Sequence, residues 1–294
     1  MDNATLPLRI SKCELVDFFT KDSIWLQGLL LRAGHKHRVA VIYIHGIDSN
    51  FYRSHLPIFI FDWIKCDGIS IFITNNRGHD PITLLRDKTG KSVLGGGNIE
   101  KFEDSVNDID GAIDRLRGLG YRKFILMAHS GGSQKVVYYL KKRKREDLIG
   151  TVFISPPNDY EIFKKTLGSR YGAAIKKARS IVGSKAENKP STEFLHCKSA
   201  RRFLSLSDPN NFEARVFSIK NGLKEFSELK TKMLILIGGD DEYEKDPKEF
   251  CRKLRKANEN ANIKIIKGAN HSFIGHENAA AKAIAIWLKH NINL

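Results

Sequence analysis

The sequence predicts an α/β protein with a mainly parallel central sheet and helices on both faces. Three observations carry this. Short, almost wholly apolar runs at 39–44, 69–74, 124–128, 148–154 and 233–237 recur along the chain, as strands buried on both faces require. Stretches with apolar residues at helical spacing stand between them, the alternation expected of a parallel sheet with crossover helices. Each apolar run ends in small and polar residues, and open sheets of this kind carry their chemistry at the carboxyl ends of their strands.

Taken in order, residues 13–20 and 23–31 alternate around Lys21-Asp22 and predict an antiparallel hairpin. Gly34-His35-Lys36-His37 predicts a turn. The run 39–44 is a central strand that ends in His45-Gly46-Ile47-Asp48, and a helix is expected over 55–66. The strand at 69–74 ends in Asn75-Asn76-Arg77-Gly78-His79, and residues 80–100, with Gly95-Gly96-Gly97, are expected to be loop. Val106, Ile109, Ile113 and Leu116 lie at helical spacing within 102–119, and Gly118 and Gly120 mark the end of that helix.

The run 124–128 leads into Ala128-His129-Ser130-Gly131-Gly132, and a helical pattern then begins with Val136, Val137, Tyr139 and Leu140 on its apolar side. Small residues at both flanks of Ser130 fit a serine held at the apex of a crowded strand-to-helix turn. The strand at 148–154 is broken by Ser155-Pro156-Pro157. Residues 158–229 change character: helical at 161–167 and 173–182, without a strong strand. They are expected to be an inserted cap or lid between two parts of a core, 1–157 and 230–294. The strand pattern resumes at 233–237, ending in Gly238-Gly239-Asp240-Asp241. A helix at 247–257, a strand at 263–266 ending in Gly268-Ala269-Asn270-His271, and a helix at 277–290 complete the chain.

Composition bounds the function. The chain has 294 residues, 41% of them apolar, enough for a sizeable core. Its apolar runs fall well short of the roughly 20 residues of a membrane helix. Met1 to Pro7 has no basic region leading into an apolar stretch, and Cys13, Cys66, Cys197 and Cys251 are scattered without metal-ligand spacing. Together these predict a cytoplasmic protein with reduced thiols, no membrane span and no metal. The net charge of +16 is large. It is expected to be a solvated lysine-rich surface rather than a nucleic-acid footprint, because the densest run, Lys141-Lys142-Arg143-Lys144-Arg145, carries no interleaved aromatic residue and closes a helix where cations oppose the dipole favourably.

His45, Asn76, Ser130, Asp241 and His271 each follow an apolar strand at its carboxyl end. A serine hydroxyl becomes a nucleophile at neutral pH only with a base in reach and a carboxylate to orient that base. His271, in a polar turn after the last strand, is the expected base, with His276 as its competitor. Either Asp240 or Asp241 supplies the acid.

Ala-His-Ser-Gly-Gly at 128–132 resembles the nucleophile elbow of the α/β-hydrolase superfamily, with Ala128 in place of the first glycine. The order Ser, acid, His is also the order of that superfamily. Asn75 to Asp80, Phe102-Glu103-Asp104, the elbow helix, Ser199 to Leu206 and Gly268 to His271 narrow the likeness. They resemble a little-characterised intracellular serine-hydrolase branch that includes fungal siderophore-ester hydrolases. The resemblance implies an α/β-hydrolase fold and cleavage of a small carboxylic ester, without metal or organic cofactor. It implies Ser130 as nucleophile, His271 as base and Asp241, at the spacing G-x-x-D, as the acid. His45-Gly46 resembles the oxyanion-loop dipeptide, which makes the amides of Ile47 and Gly131 the oxyanion donors and His45 a loop support. Arg77 is expected to anchor a structural turn. The basic residues Lys164, Lys165, Lys176, Lys177, Arg179, Arg201 and Arg202 of the insertion raise the expectation of an anionic or polar substrate. Phe163, Leu167, Phe194, Leu195, Phe203 and Leu204 fit either an acyl pocket or the insertion's own core. Acyl transfer, amide or C–C cleavage by the same groups, and a non-catalytic binding protein for a small ligand or RNA, are the competing readings. The oligomeric state and the substrate-binding residues are not fixed by the sequence.

Overall fold

The computed structural model describes residues 13–33 and 38–292, so the turn expected at 34–37 lies outside the described residues. The elements in order are β1 (Cys13–Phe19), β2 (Ile24–Leu31), β3 (Val39–Ile44), α1 (Leu56–Ile64), β4 (Ile69–Thr74), β5 (Thr83–Asp87), β6 (Ser92–Gly95), α2 (Ser105–Gly118), β7 (Lys123–His129), α3 (Gly132–Lys142) and β8 (Leu148–Ile154). Then come α4 (Asp159–Leu167), α5 (Tyr171–Ile181), α6 (Ala200–Ser207), α7 (Phe212–Arg215) and α8 (Lys224–Ser227). The chain returns to the sheet through β9 (Met233–Gly238), α9 (Pro247–Ala257), β10 (Ala261–Ile266) and α10 (Glu277–Asn291).

One sheet runs in the order β10-β9-β8-β7-β3-β4-β2-β5-β6, with β1 also paired to β2. Strands β3, β4, β7, β8, β9 and β10 are mutually parallel, and β1, β2, β5 and β6 pair antiparallel. All six residues of β3 are buried, and side chains alternate between the faces. Ala40, Ile42 and Ile44 join the core under α2, α3 and α9. Val39, Val41 and Tyr43 join the core under α1 and α10. Two-sided burial is the reason the run carries no charged residue. Each buried branched side chain contributes about 1.5–3 kcal/mol.

The stretch 80–100 is not simply loop: β5 and β6 form a hairpin within it. Leu84 and Leu94 are exposed on the hairpin's outer face, so the apolar-in, polar-out alternation that identifies a strand is missing. The turn signal is present: Gly90 has φ +84°, and the Asp87 carboxylate accepts from the Thr89 and Lys91 N–H groups.

Between β8 and β9, Phe163, Leu167, Ile175, Phe194, Phe203 and Leu204 form a separate apolar cluster, with Leu195 packed against it. Val216, Phe217, Leu223, Phe226 and Leu229, by contrast, belong to the main core under α2 and α3. Three cations of the basic run 141–145 are paired: Lys141 with Glu228, Arg143 with Asp110 at 2.8 Å, and Arg145 with Asp147 at 3.1 Å. Among the described residues, no helix is long and apolar enough to cross a membrane.

Candidate active site

Ser130 occupies the turn between β7 and α3 with φ +51°, a left-handed conformation that costs a non-glycine residue about 1–3 kcal/mol. Its neighbours explain the small residues. A methyl on Gly132 would come within 2.5 Å of the Ile44 carbonyl oxygen and 2.7 Å of that of His45. A methyl on Gly46 would come within 2.9 Å of Ser130 Cβ. The end of β3 and the start of α3 thus approach too closely for any side chain. The amino end of α3, with its unpaired N–H groups, lies beside the serine and favours negative charge there.

Ile47 and Gly131 lie side by side: the Cβ position of Gly131 is 3.4 Å from the Ile47 nitrogen. Among the described residues, neither amide has an acceptor. His45 braces this loop. Its Nε2 accepts from the Asn76 N–H at 3.2 Å, which leaves Nδ1–H to donate to the Gly46 carbonyl at 2.8 Å. Complete burial, reinforced by the nearby Lys135 ammonium, lowers the His45 imidazole to about 3, so it stays neutral. Arg77 anchors the neighbouring turn through Asp108 at 2.8 Å and Asp22 at 2.7 Å.

His271, after β10, is buried, and its Nδ1 lies 3.0 Å from both carboxylate oxygens of Asp241, after β9. Asp240 is exposed and only its backbone N–H is engaged, with the Ala269 carbonyl. Burial pushes the Asp241 carboxyl up. The hydrogen bond and charge of His271 and the Tyr243 N–H pull it down, and the net result is below the usual carboxylate value. With Nδ1–H committed to Asp241, Nε2 is the edge left to accept a proton. Tyr243 packs edge-on against His271 at 4.7 Å. His129 lies 5.0 Å from it, ring to ring, and its Nε2–H donates to the His271 carbonyl at 3.0 Å. Desolvation, with the adjacent His271, lowers the His129 imidazole to about 4.

Ser130, His271, Gly46 and Ile47 line one cavity of about 350 Å³. No hydrogen bond joins Ser130 to the His271 ring; such bonds commonly tighten only when substrate binds. His276 is not part of the cavity lining. Neither are the seven basic residues that raised the expectation of an anionic substrate. Arg179 pairs with Asp208 at 2.6 Å and Arg202 with Glu213 at 2.9 Å. Phe163 serves both readings offered for the apolar positions, since it belongs to the separate cluster and lines the cavity.

Sequence reasoning did not single out Asp159, His196, Lys198 or Tyr243, which also line the cavity. Burial and the Glu213 carboxylate raise the Asp159 carboxyl well above its usual value, against the pull of Arg202 and Lys198. Its Oδ2 accepts from Gln134 Nε2 at 2.6 Å. An aspartate at a helix start and a lysine in a polar stretch carry no signal of burial in the sequence alone.

No curated protein matches the sequence. Solved structures similar to it are the siderophore hydrolase EstB from Aspergillus fumigatus, a soluble variant of the monoglyceride lipase from Saccharomyces cerevisiae, and Est1E from Butyrivibrio proteoclasticus with ferulic acid bound. The first has a TM-score of 0.69 at 17% identity, over 97% of this chain and 99% of that one. The second has 0.65 at 14%, over 98% and 99%. The third has 0.63 at 15%, over 93% and 98%. The family described as a protein of unknown function (DUF1749) matches residues 88–290. The chain belongs to that family, and its fold is that of the α/β-hydrolases.

Proposed function

We propose that this hydrolase-fold protein is a serine hydrolase that cleaves a carboxylic ester through an acyl-enzyme. The observation that carries the reading is the buried Asp241–His271 bond at 3.0 Å, opening on the cavity that also holds the strained Ser130. A surface histidine has no need of a buried carboxylate.

In this mechanism Ser130 Oγ attacks the ester carbonyl carbon while His271 Nε2 takes its proton. Asp241 holds the imidazole tautomer and stabilises the cation that forms. The Ile47 and Gly131 amides donate to the tetrahedral oxyanion, and losing one such donor costs on the order of 3 kcal/mol in the barrier. His271 returns the proton to the leaving alcohol. It then deprotonates a water that attacks the acyl-enzyme, and the collapsing intermediate expels Ser130 and releases the acid. No step calls for a metal or organic cofactor. Residues 158–229 act as the cap over this site, with Ile162, Phe163 and His196 in the cavity wall supporting that role. The named neighbours, a siderophore hydrolase and a monoglyceride lipase among them, support a hydrolytic reaction.

The test is labelling with a fluorophosphonate probe, which modifies only an activated serine. Wild type is expected to label and to turn over p-nitrophenyl esters; Ser130→Ala and His271→Ala, folded by circular dichroism, are expected to do neither. Ester turnover retained by Ser130→Ala would sink the mechanism.

A further inference from the structure

The segment between β8 and β9 meets the core along residues 97–100, just after β6. The Ser199 N–H donates to the Asn98 carbonyl at 2.8 Å, and Arg202 Nε to the Gly97 carbonyl at 3.2 Å. Lys198 stands between these contacts. Its side chain is 1% exposed, and its Nζ reaches Asp48 Oδ1 at 2.8 Å, Asp48 Oδ2 at 2.7 Å and Asn98 Oδ1 at 2.6 Å. Three acceptor oxygens take up the three protons of the ammonium. Lys198 lines the cavity, yet its charge is committed to Asp48 and not to a substrate anion.

Asp48 directly follows Ile47 and sits in a left-handed conformation with φ +59°. It is also crowded, since a methyl on Gly97 would come within 2.1 Å of its Oδ1. On the other side of the bond, His196 and Cys197 are left-handed too, with φ +59° and +54°. Strained backbone of this kind persists only where its surroundings over-determine it. The Lys198–Asp48 pair ties two strained turns together, one in the insertion and one in the loop that carries the Ile47 amide.

We propose that Lys198 is a positioning residue: through Asp48 it holds the Ile47 amide at the place where the oxyanion develops. The oxyanion hole is then complete only when the inserted segment is seated. This inference rests on the hydrolase reading above. An oxyanion donor acts in the transition state and not on bound substrate, so its displacement lowers kcat and leaves KM nearly unchanged.

The experiment compares wild type, Lys198→Met, Asp48→Asn and the double variant on p-nitrophenyl butyrate. Two further readouts are fluorophosphonate labelling and inhibition by a trifluoromethyl ketone, whose serine adduct carries the charged oxygen. Lys198→Met is expected to lower kcat about 100-fold with KM within about threefold, and to weaken the ketone by about the same factor as kcat. Asp48→Asn is expected to do the same, and the double variant to be no worse than either single one. A kcat within about threefold of wild type, or a loss confined to KM, overturns the inference. If Lys198→Met does not fold, Asp48→Asn carries the same expectation and the same refutation. Wild type that neither labels nor turns over overturns the hydrolase reading and this inference with it. Labelled wild type with unaffected variants overturns this inference alone.

Discussion

Asp241 meets the His271 ring through both carboxylate oxygens, each 3.0 Å from Nδ1. Asp241→Asn keeps the shape but offers an N–H where an acceptor is needed, which favours the wrong imidazole tautomer. In a working triad that substitution lowers kcat by roughly 10⁴-fold. Asp240→Asn, at an exposed neighbour whose carboxylate faces no partner in the site, is expected to stay within about twofold of wild type by the same mechanism. Steady-state hydrolysis of a p-nitrophenyl ester by both variants checks this. Equal losses would detach His271 from Asp241.

The approach of Gly132 to the Ile44 and His45 carbonyl oxygens makes a second prediction. A methyl at 2.5 Å from a backbone oxygen cannot be absorbed by a side-chain rotation, so α3 must move away from β3. Gly132→Ala is expected to lose about 1–3 kcal/mol of stability, the cost of overpacking. Fluorophosphonate labelling of Ser130 should slow as well, because the serine and the Gly131 amide ride on the same turn. Urea unfolding and labelling rate measure the two effects. A variant of wild-type stability and labelling rate would show that the turn has slack.

Legibility in the sequence followed burial. Strands β3 and β4 were legible because two-sided burial excludes charged residues from them and leaves nearly every position apolar. The hairpin β5–β6 was not, because Leu84 and Leu94 face outward, and an exposed leucine breaks the pattern that burial writes. At the candidate site, Ser130 was legible because a buried apolar run ends just before it, and His271 because it lies in the polar turn after the last strand. The G-x-x-D spacing favoured Asp241 over Asp240, and it is the Asp241 carboxylate that faces His271. Lys198 was illegible for a different reason: the partner that accounts for its burial, Asp48, lies 150 residues away in the chain. A buried cation is identifiable only with its counterion, and sequence spacing does not supply that.

Arg202 tests whether the insertion's basic residues are structural. Its guanidinium is fully buried against Glu213, and Glu100 lies 3.1 Å away, both carboxylates fully buried too. Lys135 pairs with Glu100 at 2.7 Å from the other side. Removing Arg202 leaves Glu213 without its principal counterion in a low-dielectric interior. Arg202→Met is expected to cost about 3–5 kcal/mol in urea unfolding. Adding Glu213→Gln should recover part of that loss, because the unpaired charge causes it. No recovery in the double variant would mean that lost packing of the long side chain dominates.

His45 ties stability to pH. The unfolded chain takes up a proton at this imidazole near its ordinary value of 6.5, whereas the folded protein resists until about 3. Between those values the unfolded state binds more protons, so folding stability rises with pH across the window. The contribution is whole above pH 6.5 and is lost progressively as pH falls toward 3. For these two values, lowering the pH from 7.5 to 5 costs about 2 kcal/mol through His45 alone. Carboxylates titrate in the same range, so the measurement is a difference. His45→Gln keeps an acceptor for the Asn76 N–H but cannot titrate. It is expected to lose about 2 kcal/mol less than wild type between pH 7.5 and pH 5 in urea unfolding. Parallel losses in the two proteins would mean that His45 is protonated in the folded state. The imidazole could not then accept from Asn76, and the loop that carries Gly46 and Ile47 would have to be held by other contacts.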